Sequence, residues 1–217
     1  ANTHGIDPDQ YTRLSPFDPD VRRVITEIYQ DLARHALIDG VLFHDDAMMT
    51  DFEDVSPPAM AAYRAAGLPD DIRRLRDDPD TMQQWTRFKT RYLTDFTNDL
   101  AGELRDILGP QIQTARNLYA QPMINPDSEA WFAQNLDDFL ENYDWTAPMA
   151  MPFMEGVSMA DSGQWLANLV DIVRERPGAL DKTVFEIQAR DWPQTEFNDE
   201  GHIPASVMAS WLRQLQM

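Results

Sequence analysis

The sequence predicts an α/β fold built on a parallel sheet. Three observations carry this: helical apolar spacings alternate with short apolar runs, the runs are short enough to be buried strands, and each helix supplies the crossover that parallel neighbours need. A doubly wound sheet and a (β/α)₈ barrel both satisfy the pattern. A complete barrel takes about 250 residues, so 217 residues with four legible strands argue against a whole one.

The first helix is written from Val21 to Ala36, where Val21, Val24, Ile25, Ile28, Tyr29, Leu32 and Ala36 share one face, with Asp20 as its N-cap. The strand Ile38 to Phe43 follows and ends in His44-Asp45-Asp46. A long helix runs from about Asp80 to Leu108 on Trp85, Phe88, Tyr92, Phe96, Leu100, Leu104 and Leu108, and Gly109-Pro110 stops it. A strand is expected near Gln111 to Leu118. Ser128 is expected to cap a third helix burying Trp131, Phe132, Leu136, Phe139 and Leu140, which leads into an apolar segment from Trp145 to Phe153. Asp161 starts a fourth helix on Trp165, Leu166, Leu169, Val170 and Val173, ended by Pro177-Gly178. The strand Thr183 to Ala189 comes next, and Pro204 opens a last helix, Ala205 to Gln216.

With 43% hydrophobic and 10% aromatic residues the chain can build a real core. Its 37 acids against 18 Lys and Arg give a net charge of −19, which repels phosphate backbones, argues against nucleic acid as a partner and favours a cationic one. Acidity alone also serves solubility. Without cysteine there are no disulfides, thiol nucleophiles or thiolate metal sites. No apolar run approaches the roughly 18 residues of a membrane span. The leading Ala1-Asn2-Thr3-His4-Gly5 lacks the apolar core of a signal peptide, so an export signal is expected upstream.

Function should sit in the four loops after the strands, because ligands meet the carboxyl ends of parallel strands. These loops are His44-Asp45-Asp46, Arg116-Asn117-Leu118-Tyr119, Met151 to Glu155 and Gln188 to Trp192. A second acidic cluster, Asp51-Phe52-Glu53-Asp54, lies just beyond the first. Asp45 or Asp46 could equally cap a loop, as Asp often does after a strand. Acids interspersed with aromatic rings suit a sugar polymer, which offers CH-rich faces and hydroxyls. Trp85, Trp131, Trp165 and Trp211 lie on helical faces and are assigned to the core, whereas Trp145 and Trp192, near strand ends, are assigned to the site.

Several long words of the sequence then point to a family: Arg13 to Asp18 (RLSPFD), Asp39 to Ala47, Asp51 to Asp54, Thr114 to Asn117 (TARN), Ser128 to Asn135 (SEAWFAQN) and Tyr143 to Gly156 (YDWTAPMAMPFMEG). From about Tyr11 to Met217 the chain resembles the C-terminal domain of the poly-β-1,6-N-acetyl-D-glucosamine N-deacetylases, the PgaB proteins of Gram-negative biofilm export. The resemblance implies a glycoside-hydrolase-like (β/α)₈ TIM barrel, of which this chain covers about four strands and their helices as a single partial domain. It implies binding and cleavage of partially deacetylated poly-N-acetylglucosamine in the periplasm. The implied partners are an upstream deacetylase domain and an outer-membrane export pore. That metal-dependent deacetylase has no counterpart here: His4, His35, His44 and His202 show no His-x-x-x-His spacing, and no metal or other cofactor is expected.

Glycoside cleavage needs two carboxyl groups across the scissile bond, one protonated and one ionised. Repulsion among Asp45, Asp46, Asp51, Glu53 and Asp54 is expected to keep a proton available. Since side chains alternate along a strand, only one of Asp45 and Asp46 should face the cleft, and Asp46 is favoured, with Glu155 as its partner from another loop. His44, Asp51, Glu53, Asp54, Arg116, Asn117, Tyr119, Trp145, Glu186 and Trp192 are the expected substrate contacts. Glu186, between Phe185 and Ile187, is expected to face the barrel interior, or else to form an ion pair with Arg116 or Arg190. Deacetylated glucosamine carries an ammonium, so an acidic groove would attract it. Two rival functions remain open at this point: a non-catalytic module that holds the polymer during deacetylation and export, and a scaffold that does neither.

Overall fold

The computed structural model describes residues 13–192 and 201–216; His4, the Ala1–Gly5 lead, the Tyr11 start of the resemblance and Met217 lie outside them. Four strands, β1 (Gly40–Phe43), β2 (Gln113–Leu118), β3 (Trp145–Ala150) and β4 (Glu186–Ile187), form one sheet in the order β1-β2-β3-β4. All three pairings are parallel. Because the order never reverses, right-handed crossovers put every helix on the same face, and the sheet curls instead of winding both ways. The result is a half-barrel, the partial TIM-barrel architecture, and the doubly wound alternative falls away.

The alternation of burial follows from this. Phe43, Thr114, Arg116, Leu118, Thr146 and Ala150 point into the helix layer and are buried, while Leu42 on the concave face is 48% exposed. The helix layer holds the main core, in which Phe43, Leu118 and Ala150 meet Phe96, Leu100, Phe139, Leu166 and Trp211. A second core gathers Phe17, Tyr63, Trp85 and Leu93, with the Phe17 and Tyr92 rings stacked at 4.0 Å. It clamps the chain on both sides of the β1 loop onto the long helix.

Helix boundaries follow capping chemistry more closely than apolar periodicity. The first helix, α1 (Pro19–His35), is capped by Asp18 and not Asp20: Asp18 accepts from the backbone N–H of Asp20 at 2.8 Å, and Pro19 takes the first helical position, where its missing N–H costs nothing. Two helices that apolar spacing did not indicate, α2 (Pro57–Ala65) and α3 (Ile72–Asp77), fill the stretch before α4 (Pro79–Leu108). β2 begins two residues later than expected, because Ile112 packs with Leu104 in a small core instead of joining the ladder.

The helix expected after Ser128 is broken. A short α5 (Ala120–Ile124) and a 3₁₀ turn precede α6 (Glu129–Phe132), Ala133 takes a left-handed conformation (φ 50°), and α7 (Leu136–Asn142) restarts on Asn135, which accepts from the N–H of Asp138. Ser128 makes no side-chain cap. The break turns Gln134 inward, and the tie it makes there outweighs helical continuity. The fourth helix expected from Asp161, α8 (Met159–Arg174), starts two residues earlier, capped by Ser158. The last strand shrinks to Glu186–Ile187 with one isolated bridge at Thr183, and α9 (Ala205–Leu215) closes the described chain.

Candidate functional site

The carboxyl ends of the four strands bring the loops to one rim. Asp45 leaves β1 turned toward the protein and is buried, whereas Asp46 is exposed at the mouth. The two differ in exposure as expected, but both lie in the turn after β1, which ends at Phe43, so the turn and not strand alternation sets them apart. The Tyr119 hydroxyl, just past β2, donates to Asp45 Oδ2 at 2.5 Å, and His44 Nδ1 touches the other Asp45 oxygen. Burial, then the hydrogen bond and the charges of Asp45 and Asp46, push the Tyr119 phenol above its ordinary range, so it stays a proton donor to the carboxylate.

Two residues along, Gln121 Nε2 donates to Glu155 Oε2 at 2.8 Å. Tyr119, at the start of α5, and Gln121, in its first turn, thus hold Asp45 and Glu155 from one short segment after β2. Acids from the β1 and β3 loops therefore meet at the same end of the sheet.

Neutral amides lock this rim. Buried Gln134 accepts from the Tyr119 N–H at 3.0 Å and donates to the Asp45 carbonyl at 3.4 Å, tying the β1 and β2 loops. Buried Gln188 accepts from the N–H groups of Phe153 (2.8 Å) and Met154 (3.3 Å) and donates to the Arg190 carbonyl (2.7 Å), tying the β3 and β4 loops. Gln121, Gln134 and Gln188 carry no role in the sequence pattern, although Asn135 three residues before Asp138 marks the helix restart that turns Gln134 inward.

Several expected substrate contacts have other roles. Arg116 is only 1% exposed, on the helix side of β2, and its guanidinium donates to the carbonyls of Phe43, His44 and Ala47. Walled into the helix layer, it cannot reach a polymer. Trp145 sits at the amino end of β3, five residues before Ala150, with its indole N–H on Gln113. At about 3.3 Å per residue that is the opposite end of the sheet from the loops. Asp51 pairs with Arg76 at 3.1 Å and Glu53 with Arg13 at 3.1 Å, while buried Asp54 accepts from Ser15 (2.5 Å) and Ser56. These three carboxylates are engaged in shaping the β1 loop.

Beneath that loop lies Lys89, fully buried, donating to the carbonyls of Thr50 (2.6 Å) and Glu53 (2.9 Å) and resting 3.9 Å from the centre of the Trp85 ring. Burial pulls its amine down to about 7, against the opposing pull of Asp51 and Glu53.

Glu186 does face the concave side, since it pairs in register with Met149, and it accepts from Asn117 Nδ2 at 2.6 Å in place of an ion pair with Arg116 or Arg190. Asn117 is fully buried and also reaches the Ala147 carbonyl. Trp192 is 55% exposed beyond β4, and Met154 is exposed on the β3 loop. Trp131, assigned above to the core, is 51% exposed. The stop at Ala133 rotates it out, beside Phe132, whose ring packs on Tyr119 at 4.7 Å and whose carbonyl accepts from the Met49 N–H. Among the described residues no group of three His, Cys, Asp or Glu side chains is arranged to hold a metal, and no helix is long and apolar enough to cross a membrane.

The sequence matches the family described as "Hypothetical glycosyl hydrolase family 13" over residues 2–217. It is 48% identical over 212 residues to the poly-β-1,6-N-acetyl-D-glucosamine N-deacetylases of Escherichia coli K12 and O157:H7, covering 98% of this chain and 31% of each of those proteins. The chain thus spans about a third of the length of these relatives. The structure of the PgaB (BpsB) glycoside hydrolase domain from Bordetella bronchiseptica superposes with a TM-score of 0.91 at 45% identity, over all of this chain and 60% of that one. A half-barrel with acids gathered at its carboxyl rim, matched along its whole length by that domain, belongs to this glycosyl hydrolase family.

Proposed function

We propose that the chain is the part of a glycoside hydrolase domain that binds and cleaves partially deacetylated poly-β-1,6-N-acetyl-D-glucosamine, within a periplasmic protein that also carries an N-deacetylase domain and works with an outer-membrane export pore. The observation that carries this reading is that Asp45 and Glu155 stand at one end of the sheet, held by Tyr119 and by Gln121, with Asp46 exposed beside Asp45. Asp46 and Glu155 act on the scissile bond as the acid and its ionised partner. Asp45, engaged by Tyr119 and His44, supports Asp46 from behind. Exposed Trp131 and Trp192 offer ring faces to the sugars, and the net charge of −19 favours a chain bearing ammonium groups over its fully acetylated form.

The test is incubation of the full-length protein with partially deacetylated polymer, followed by mass analysis of the products. New reducing ends from the parent, reduced by at least about 100-fold in Asp46→Asn and Glu155→Gln, support the reading. A variant that cleaves as fast as the parent refutes its residue's role. Saturable binding with no new ends from any form would make this a polysaccharide-holding module instead.

A further inference from the structure

The feature of the rim that fold stability does not explain is Arg116. Its neighbours on the helix side of β2 are Thr114 and Leu118, and the layer it enters is built of Phe43, Phe139, Tyr143 and their kin. A charge placed there carries a desolvation cost of several kcal/mol, and well-packed apolar residues of similar volume often replace buried charges without loss. The Tyr143 hydroxyl and the charge of nearby Asp45 favour its charged form, but among the described residues no carboxylate lies within ion-pair distance of its guanidinium. The group is satisfied by three backbone carbonyls, those of Phe43, His44 and Ala47, with the Phe139 ring 5.1 Å beneath it. Those carbonyls bracket Asp45 and Asp46 on both sides. What a guanidinium adds over an apolar residue is its rigid fork of donors, which can hold several acceptors in a fixed relation.

We propose that Arg116 is a positioning residue for glycoside cleavage, holding the turn from Phe43 to Ala47 so that Asp46 meets the scissile bond while Arg116 itself never touches the polymer. The proposal rests on the hydrolase reading above for its kinetic consequence, but its structural core does not. The end of β1 would otherwise be an irregular loop at the edge of the sheet, free to fray from Phe43 onward. Gln134 holds the Asp45 carbonyl from the β2 side, and Arg116 holds the flanking carbonyls from below. Between the two, the backbone on both sides of the acids is fixed, and only their side chains are left to respond to a ligand.

The experiment compares the full-length parent with Arg116→Met and Arg116→Lys. A misplacement of about 1 Å costs on the order of 100-fold in rate, so Arg116→Met should lose about that much in kcat with KM nearly unchanged. Arg116→Lys, which keeps the charge but not the fork, should fall between, and added guanidinium ion should restore part of the Met variant's rate. A parent-like kcat, a rise in KM alone, or a loss that neither lysine nor guanidinium relieves would overturn the proposal. Should the Met variant fail to fold, the Lys variant decides on the same kcat-against-KM criterion. Should the parent cleave nothing, hydrogen exchange decides: the amides of residues 44–48 should exchange at least about tenfold faster in the variant, as expected for a local opening, while those of α4 stay at the parent's rate. Equal exchange at the turn would sink the idea whatever becomes of the hydrolase reading.

Discussion

Lys89→Met, made without other change, separates the charge of the buried amine from every other titrating group. In the folded chain the amine titrates at about 7, against 10.5 for an ordinary lysine. A depressed folded value means that, as pH rises past 7, the unfolded chain holds a proton the folded chain has released, and stability rises with pH through that window. At ~1.4 kcal/mol per pH unit, the parent should gain on the order of 3 kcal/mol from this group between pH 6 and pH 9. Methionine has no such term. The variant loses the contacts to Thr50 and Glu53 at both pH values, so that loss cancels in the double difference. The assay is urea unfolding of both proteins at pH 6 and pH 9, read as the difference of the two stability differences. A value near zero, or one favouring the variant at the higher pH, would refute the account of Lys89 as a buried amine close to neutrality.

Three further outcomes follow from the rim and its charge. Binding of deacetylated oligosaccharide should weaken steadily as salt is raised, since exposed charges are screened over about 8 Å at physiological ionic strength; calorimetric affinities that stay level would remove the electrostatic part of the argument. Trp131→Ala should weaken binding by about 1 kcal/mol without lowering the melting temperature, because the ring is half in solvent. Trp145→Ala should leave affinity untouched, since its indole lies at the far end of the sheet; a loss equal to that at Trp131 would contradict the placement of both.

The parallel architecture was legible because β1 and β3 are mostly apolar runs that follow helical spacings, and a series of helix-then-strand units admits few topologies. The choice between winding both ways and curling was not, because strand order is a long-range fact with no local signature. In the rim, Asp45, Asp46 and Glu155 were readable as acids just past strands. Trp131 reads as core only on a continuous helical wheel, and the helix breaks at Ala133, where a non-glycine residue turns left-handed and local propensity gives no warning. Trp145 shows the limit of the phrase "near a strand end": direction decides which end, and the apolar segment to Phe153 runs away from it. Arg116 reads as a ligand contact because β2, Gln113 to Leu118, carries polar residues on both of its faces, so its sequence does not show which face meets the helices. The partners of the second acidic cluster lie from 2 to 40 positions away, beyond what spacing can reveal.

Gln121, Gln134 and Gln188 fasten each loop of the mouth to the next without a formal charge. The Gln134 and Gln188 links end on backbone groups, which protonation and counterions leave alone, so those parts of the frame should keep their shape, whereas the Gln121 link ends on the Glu155 carboxylate and responds with it. It also means that no loop here is an independent module. A segment grafted in from a relative, or lengthened to suit a different saccharide, would come adrift unless the glutamine that fastens it, carried by a neighbouring stretch of chain, came with it.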